Sequence, residues 1–431
     1  IGGNIIKAGN VAVQNVARWD GTKWNFFGSG FAGAGINAFL RTTNGDLYAG
    51  GSLTSAGTVE AVGVTRKTPT GWATVGTGLS DVTAMVTLTN GNILAAGSFL
   101  PAPTGVSPQP LAVWDGNSWT KFGPDSSPFP VIRALGVMTN GDVVAGGTCT
   151  SIGGFPVSTL ARWNGSNWSA IGQSINGSVY AVATLTNGDL IVGTDIFSNG
   201  IARWNGTAWS GYGTGMNSSV LALYPLPNGD LLAGGRFGTA GGVSASRIAR
   251  WNGTTWSSLG SGVSLSGTPY VNAITVLTNG NIIIGGSFSG VGSSNTLSVG
   301  RWTGTNWTSL GGSGASTAVL TDIGGVNALA ALPDGGFVMG GGFTAVNGYV
   351  SRYFAQWGCP VGPLLDGVMI GANGLKFSFQ GTPGKTYAIS YSTNLSAWQV
   401  IHSGLQGWVI YEDLDAARKA LPHGYYRVVE Q

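Results

Sequence analysis

Two rhythms in the sequence, an Asn-Gly-Asp turn and a pair of tryptophans five residues apart, predict an all-β chain. The fold class they predict is a β-propeller of four-stranded blades followed by a small β-sandwich domain. The turn stands at Asn44-Gly45-Asp46, Asn90-Gly91-Asn92, Asn140-Gly141-Asp142, Asn187-Gly188-Asp189, Asn228-Gly229-Asp230, Asn279-Gly280-Asn281 and Asp334-Gly335-Gly336, with Gly2-Gly3-Asn4 in the same slot. Its intervals of 46, 50, 47, 41, 51 and 55 residues suit a unit of four short strands rather than a helical repeat. The tryptophans keep the same beat: Trp19 and Trp24, Trp114 and Trp119, Trp163 and Trp168, Trp204 and Trp209, Trp251 and Trp256, Trp302 and Trp307. One copy keeps only Trp72, with Lys67 in the first slot, and the last keeps only Trp357.

The unit is plainest over residues 220–260. A first apolar run meets the Asn-Gly turn, a second ends in Gly-Gly, a looser Gly/Ser/Ala stretch follows, and the third run (Ile248 to Trp251) turns through Asn-Gly-Thr-Thr into the fourth (Trp256 to Leu259). No apolar spacing of three and four supports a helix in this region. Antiparallel order puts the two tight turns on one face of the ring and the variable connections on the other: residues 98–110, 148–158, 194–200 and 311–325. The second and third strand types occur eight times but the first and fourth seven, so eight blades are expected, with seven as the alternative. Terminal blades each short of a strand would expose edges that invite strand addition from a neighbouring subunit.

The beat stops after residue 358. The ring is assigned to residues 1–358, a linker to 359–365 and the β-sandwich module to 366–431, where 10 of the 37 charged residues fall. Alternation marks strands at Leu375 to Phe379, Lys385 to Tyr391 and Tyr425 to Val429, and a short helical piece is expected at Leu414 to Leu421.

An apolar strand ending in Gly-Gly, followed by an aromatic residue and then a Trp, resembles the kelch-type propeller motif. VNALAALPDGGFVMGGGFTAVNG (Val326 to Gly348) resembles repeat propellers of secreted bacterial proteins, a likeness that covers about Ile1 to Trp357. The stretch GTPGKTYAISYSTNLSAWQVI and the terminal GYYRVVE resemble a compact domain found at the C-terminal end of large secreted bacterial proteins. The resemblance implies fold and an extracellular place, not chemistry.

Composition narrows the function classes. Charged residues are 9% against a usual ~25%, and 75 of 431 residues are Gly, an unusual balance for a cytosolic enzyme. The net charge of +3 is spread along the repeats, so no basic patch suits nucleic acid. Gly or a polar turn residue interrupts every apolar run before the ~20 residues of a membrane span. The chain begins at Ile1 rather than Met, so an N-terminal piece ahead of it is expected. Cys149 and Cys359 are too few for a disulfide framework; a single bridge and two free thiols are both open, with free thiols favoured.

No residue set for catalysis emerges. The two histidines, His402 and His423, lie in the terminal module, so a His-based metal site or triad has no members in the ring. Asp46, Asp142, Asp189 and Asp230 are read as turn formers, while Glu60, Asp81, Asp125, Asp195 and Asp322 are scattered on the variable face without a pair. Asp20 to Trp24 resembles the aspartate box of sialidases but is one residue short and lacks an arginine triad. Arg18, Arg162, Arg203, Arg250 and Arg301 each precede the first Trp of a pair and are read as structural partners of a turn or carboxylate. The tryptophans are read as packing one twisted blade on the next. Asn-Gly-Ser/Thr triplets at Asn164, Asn176, Asn205 and Asn252 match glycosylation acceptors, but Asn-Gly is also the favoured hairpin turn.

The expected function is therefore an extracellular, non-catalytic scaffold for protein interaction or self-assembly, secreted or at the cell surface. Its expected partners are other protein subunits or further copies of the chain, with no cofactor, no metal and no nucleic acid. The alternative is a carbohydrate-binding propeller with Phe155 and Tyr270 on its ligand face; the third reading is a hydrolase or lyase with unpaired acid residues.

Overall fold

The computed structural model describes strands within residues 7–26, most of 31–310 and 325–357, and the strands of 364–430; residues 100–109, 125–129, 311–324, 358–363 and 413–424 are the main stretches outside it. The expected helical piece at 414–421 lies in the last of these. By compactness the chain divides into 1–331 with 338–355, and 332–337 with 356–431.

The first unit is a ring of antiparallel sheets, each contributing its first strand to the inside. These inner strands are Phe31–Arg41, Leu79–Thr87, Val131–Val137, Val179–Thr184, Val220–Pro225, Tyr270–Val276 and Val326–Ala331. Each packs beside the next, and Val326–Ala331 packs beside Phe31–Arg41, which closes the ring. Among the described residues the inner ring therefore has seven members, the alternative count rather than eight. In the N-terminal copy the described strands pair among themselves (Lys7–Ala8 with Val11–Ala12, Ala17–Trp19 with Trp24–Phe26), with no inner strand among the described residues. Blades two to six have four strands in the order one-two-three-four; the first carries an extra short strand, Val59–Glu60, and the seventh has three among the described residues.

Strand character follows position in the blade. Second strands such as Leu231–Gly235 and Leu190–Thr194 are buried at every residue, because neighbouring blades cover both of their faces. Leu231–Gly235 and Ile282–Ser287 carry a Gly-Gly pair for two separate reasons, while Leu190–Thr194 has Gly193-Thr194 in the same place. A Cβ on the first glycine, Gly234, would lie 2.6 Å from Val271 Cγ1 of the next blade. A Cβ on the second would strike the blade's own inner strand: 2.1 Å from the Ser219 carbonyl oxygen at Gly235, 2.0 Å from that of Tyr270 at Gly286. The pair thus admits a close blade-to-blade approach and, beside it, a bulge in the inner strand. The register slips at Ile132/Ala134, Val179/Ala181, Val220/Ala222 and Val271/Ala273, each time leaving one residue out of the ladder.

The second unit holds two three-stranded antiparallel sheets, Leu364–Gly371 with Gly374–Gln380 and Trp408–Glu412, and Tyr387–Ser392 between Gln399–Leu405 and Tyr425–Glu430. Buried Tyr387 and Ile389 of one sheet share an apolar cluster with Tyr411 of the other.

Because the second glycine has no room for a side chain, Gly286→Ala is expected to cost about 2 kcal/mol. Thermal unfolding of the variant should show a midpoint several degrees lower; an unchanged midpoint would mean the bulge is not held against this glycine.

Candidate functional site

The repeated side chains make two sets of bonds. Paired tryptophans face each other across the third and fourth strands, as Trp163 opposite Trp168 and Trp251 opposite Trp256, with ring centroids 5.4 Å apart in both. The second indole of a pair donates its Nε1–H to a backbone carbonyl of the preceding blade: Trp119 to Val75 at 2.7 Å, Trp209 to Ile171 at 2.7 Å, Trp256 to Tyr212 at 2.9 Å and Trp307 to Leu259 at 2.6 Å. The residue after each accepting carbonyl is a glycine with positive φ, and a Cβ there would run into the indoles; at Gly172 it would lie 2.3 Å from Trp204 Cζ3. The carbonyl-glycine corner of one blade is wedged between the tryptophans of the next. Trp204 with Trp209, Trp114 with Trp119 and Trp302 with Trp307 repeat this arrangement, while Trp19 and Trp24 are opposed in their own hairpin. In the first blade, Trp72 packs edge-on against Phe31 and Phe354, and its buried Nε1 has no acceptor among the described residues.

The second set lies within blades. The turn aspartates pair with the arginine of the third strand: Asp142 with Arg162 at 3.2 Å, Asp189 with Arg203 at 2.7 Å, Asp230 with Arg250 at 2.6 Å, and Asp46 with Arg66 at 3.6 Å. Arg66 was hidden from the sequence reading because Lys67, not Trp, follows it. Where the turn ends in Asn281 instead of Asp, Arg301 bonds Thr308 Oγ1 at 3.0 Å. The side chain of Arg18 and the box-like segment 20–23 lie outside the described residues.

A third set, absent from the sequence reading, occupies the bulges of the inner strands. Asn272 Nδ2 donates to Asn327 Oδ1 at 3.3 Å, Asn327 Nδ2 to Asn37 Oδ1 at 3.4 Å, and Asn37 Nδ2 to the Val82 carbonyl at 3.2 Å. Thr83 Oγ1 continues to the Ile132 carbonyl at 2.6 Å, and the Arg133 guanidinium lies 5.6 Å from the Tyr180 ring. Each contact joins one blade to the next, so a polar collar runs from the sixth blade through the closure to the fourth; Leu221 of the fifth breaks it. The sequence did carry a signal: Ile36-Asn37-Ala38, Val271-Asn272-Ala273 and Val326-Asn327-Ala328 are one motif. Amides, a hydroxyl and one guanidinium can bind a polar segment, but they include no group that would accept a proton or attack a substrate near neutral pH.

Of the two residues expected on a ligand face, Tyr270 begins the sixth inner strand beneath Arg236, whose guanidinium is 4.5 Å from its ring. Phe155 is 39% exposed in the hairpin of the third blade, so the two stand in different blades and form no common site. The carboxylates of the variable face are likewise separate: Asp81 accepts a bond from Ser52 Oγ, and Asp195 Oδ1 accepts the Ser178 N–H at 2.8 Å; Asp125 and Asp322 lie outside the described residues. Among the described residues no group of three His, Cys, Asp or Glu side chains is placed to hold a metal ion. His402 is exposed and packs on Tyr411 at 5.5 Å; His423 and Cys359 lie outside the described residues.

No protein-family model matches this chain, and no curated protein matches it. Among solved structures it is similar to the extracellular domain of the putative one-component system BT4673 from B. thetaiotaomicron, at 13% identity and a TM-score of 0.49, over 91% of this chain and 55% of that one. It is also similar to PorZ, described as an essential surface component of the type-IX secretion system of Porphyromonas gingivalis (12% identity, TM-score 0.46, 97% of this chain and 69% of that one). A third is YCF48 bound to D1 peptide (14% identity, TM-score 0.45, 76% of this chain and 94% of that one). The chain spans about half the length of the first of these. The class the chain falls in, that of β-propellers, follows from its own ring of antiparallel sheets.

Cys149 is free and buried, and burial pushes its thiol up to about 11 from 9.0. A thiol with a raised folded pKa stays protonated while the unfolded chain ionises, so it lowers stability as pH rises from about 9 through 11. In a Cys359→Ser background, iodoacetamide at pH 8 is expected to leave Cys149 unlabelled in the native protein and to label it readily in urea. Fast native labelling would contradict its burial.

Proposed function

We propose that the chain is an extracellular, non-catalytic propeller of kelch-like repeats, residues 1–358, that serves as a protein-interaction or self-assembly scaffold at the cell surface. The short linker at 359–365 joins it to a β-sandwich module at 366–431. The observation that carries the reading is where the reactive side chains go. Asp142, Asp189 and Asp230 are bound to arginines of their own blades, Asp81 and Asp195 to neighbouring Ser groups, and Cys149 is buried and protonated.

The variable face supports interaction. Val131, Phe155 and Val243, at 44, 39 and 44% exposure, are the exposed large apolar side chains of the described ring, and all three sit at the variable-connection ends of the strands. Phe155 and Val243 occupy matching hairpins in the third and fifth blades, Phe155–Pro156 and Val243–Ser244. Apolar tips raised on paired hairpins are the sort of anchors a protein partner covers, and a Gly/Ser/Thr/Asn surface with few charges suits an exterior environment. No helix of the described residues is long and apolar enough to cross a membrane.

A photo-crosslinking residue placed at position 155 in the native cell should capture a partner chain, whether another protein or a second copy. The same residue at position 254, in a tight turn of the opposite face, should not. Equal capture at both positions, or at neither, would overturn the assignment of this face.

A further inference from the structure

The four in-blade ion pairs are not alike. In the third, fourth and fifth blades the aspartate side chain is 13, 9 and 12% exposed and its arginine lies within 3.2 Å. In the first blade Asp46 is 35% exposed and Arg66, 45% exposed, stands 3.6 Å away. This looser pair lines a cleft of about 570 Å³ between the first and second blades, at the tight-turn end, and the facing wall carries Asn92, Trp114 and Asp115.

Local sequence accounts for the opening. In the second blade Asn92 and Val113 occupy the places of the turn aspartate and its arginine, so the far wall carries no ion pair of its own. Tyr48 replaces the aliphatic residue usual in the second strand and stands directly across from Arg66 in the ladder. The junction thus combines a partly exposed indole, a solvent-accessible carboxylate and guanidinium, and an amide.

Charge and polarity select the occupant. A simple anion at the centre of the cleft would meet Asp46 and Asp115, a simple cation would meet Arg66, and an apolar ligand would strip water from all three without replacing its hydrogen bonds. A ring with an apolar C–H face and a rim of hydroxyls satisfies every wall: the face lies on the indole, and the hydroxyls donate to carboxylate and accept from guanidinium. The volume is within the range of small-molecule sites. We propose that this cleft binds a neutral pyranose unit of a saccharide, held by Trp114, Asp46 and Arg66. The site is on the face opposite the exposed apolar hairpins and is independent of what they bind.

Saturation-transfer NMR on the full chain, with methyl β-glucopyranoside, methyl β-galactopyranoside, methyl α-mannopyranoside and cellobiose as probes, tests the assignment. At least one probe is expected to bind saturably, and Arg66→Gln and Asp46→Asn should each weaken it on the order of tenfold. Arg250→Gln, the matching change in the closed pair of the fifth blade, should leave binding unchanged. Both first-blade positions are partly exposed, so an unchanged thermal midpoint identifies variants that keep their fold. The proposal is overturned if no probe binds up to about 10 mM, if folded Arg66→Gln and Asp46→Asn bind as the parent does, or if Arg250→Gln loses binding equally.

Discussion

The structure depends on one joint, seen at Trp119, Trp209, Trp256 and Trp307, in which an indole is hydrogen-bonded to a carbonyl at the end of the blade before it. Sheets of four short strands have little core of their own, and burying an indole removes ~150 to 250 Å². At ~25 cal/mol per Å² that is worth several kcal/mol, against about 1 kcal/mol net for the hydrogen bond. Burial therefore supplies most of the cohesion, while the bond fixes register, since the carbonyl is placed between two rings with no space for a Cβ at the glycine that follows. A sequence poor in charge and rich in Gly and Trp follows from repeating this joint around a circle.

The same construction sets what the ring can offer. Because the inner strands bulge beside the ends of the second strands, residues leave the ladder, and Asn37, Asn272, Asn327, Thr83 and Arg133 become a collar that differs from blade to blade. Cohesion rests on repeated positions, and individuality on the bulges, the hairpins of the variable face and the first junction. At that junction Lys67, Asn92 and Val113 depart from the repeat together, and the ion pair that is closed elsewhere stands open.

Much of this was legible in the sequence because it is local. The turn residues, the opposed tryptophans and the bounds of strands such as Ile248–Trp251 follow from neighbours a few residues apart. The pairing of arginine with the turn aspartate, Arg203 with Asp189 for one, also follows from a fixed offset in the unit. The ring count was not legible, since the N-terminal copy has the right residues for a blade yet no inner strand among the described residues, and closure between 326–331 and 31–41 is a contact across the whole chain. Nor was the collar: a one-residue bulge within a six-residue strand such as Val179–Thr184 leaves the alternation almost unchanged on the page but moves a side chain out of the ladder. Tyr270 reads in the sequence as a loop aromatic, and the Arg236 guanidinium that covers it comes from another blade, beyond any local pattern.

The central claim is that the inter-blade indole bonds are part of the folded core rather than surface contacts. Hydrogen exchange of the indole N–H groups, followed by NMR with ¹⁵N-labelled tryptophan, addresses it directly. The account predicts that Trp119, Trp209, Trp256 and Trp307 exchange together with the slowest amides of the inner strands, through cooperative opening of the ring. Exchange of these four at the rate of free indole, while the inner-strand amides stay protected, would contradict it.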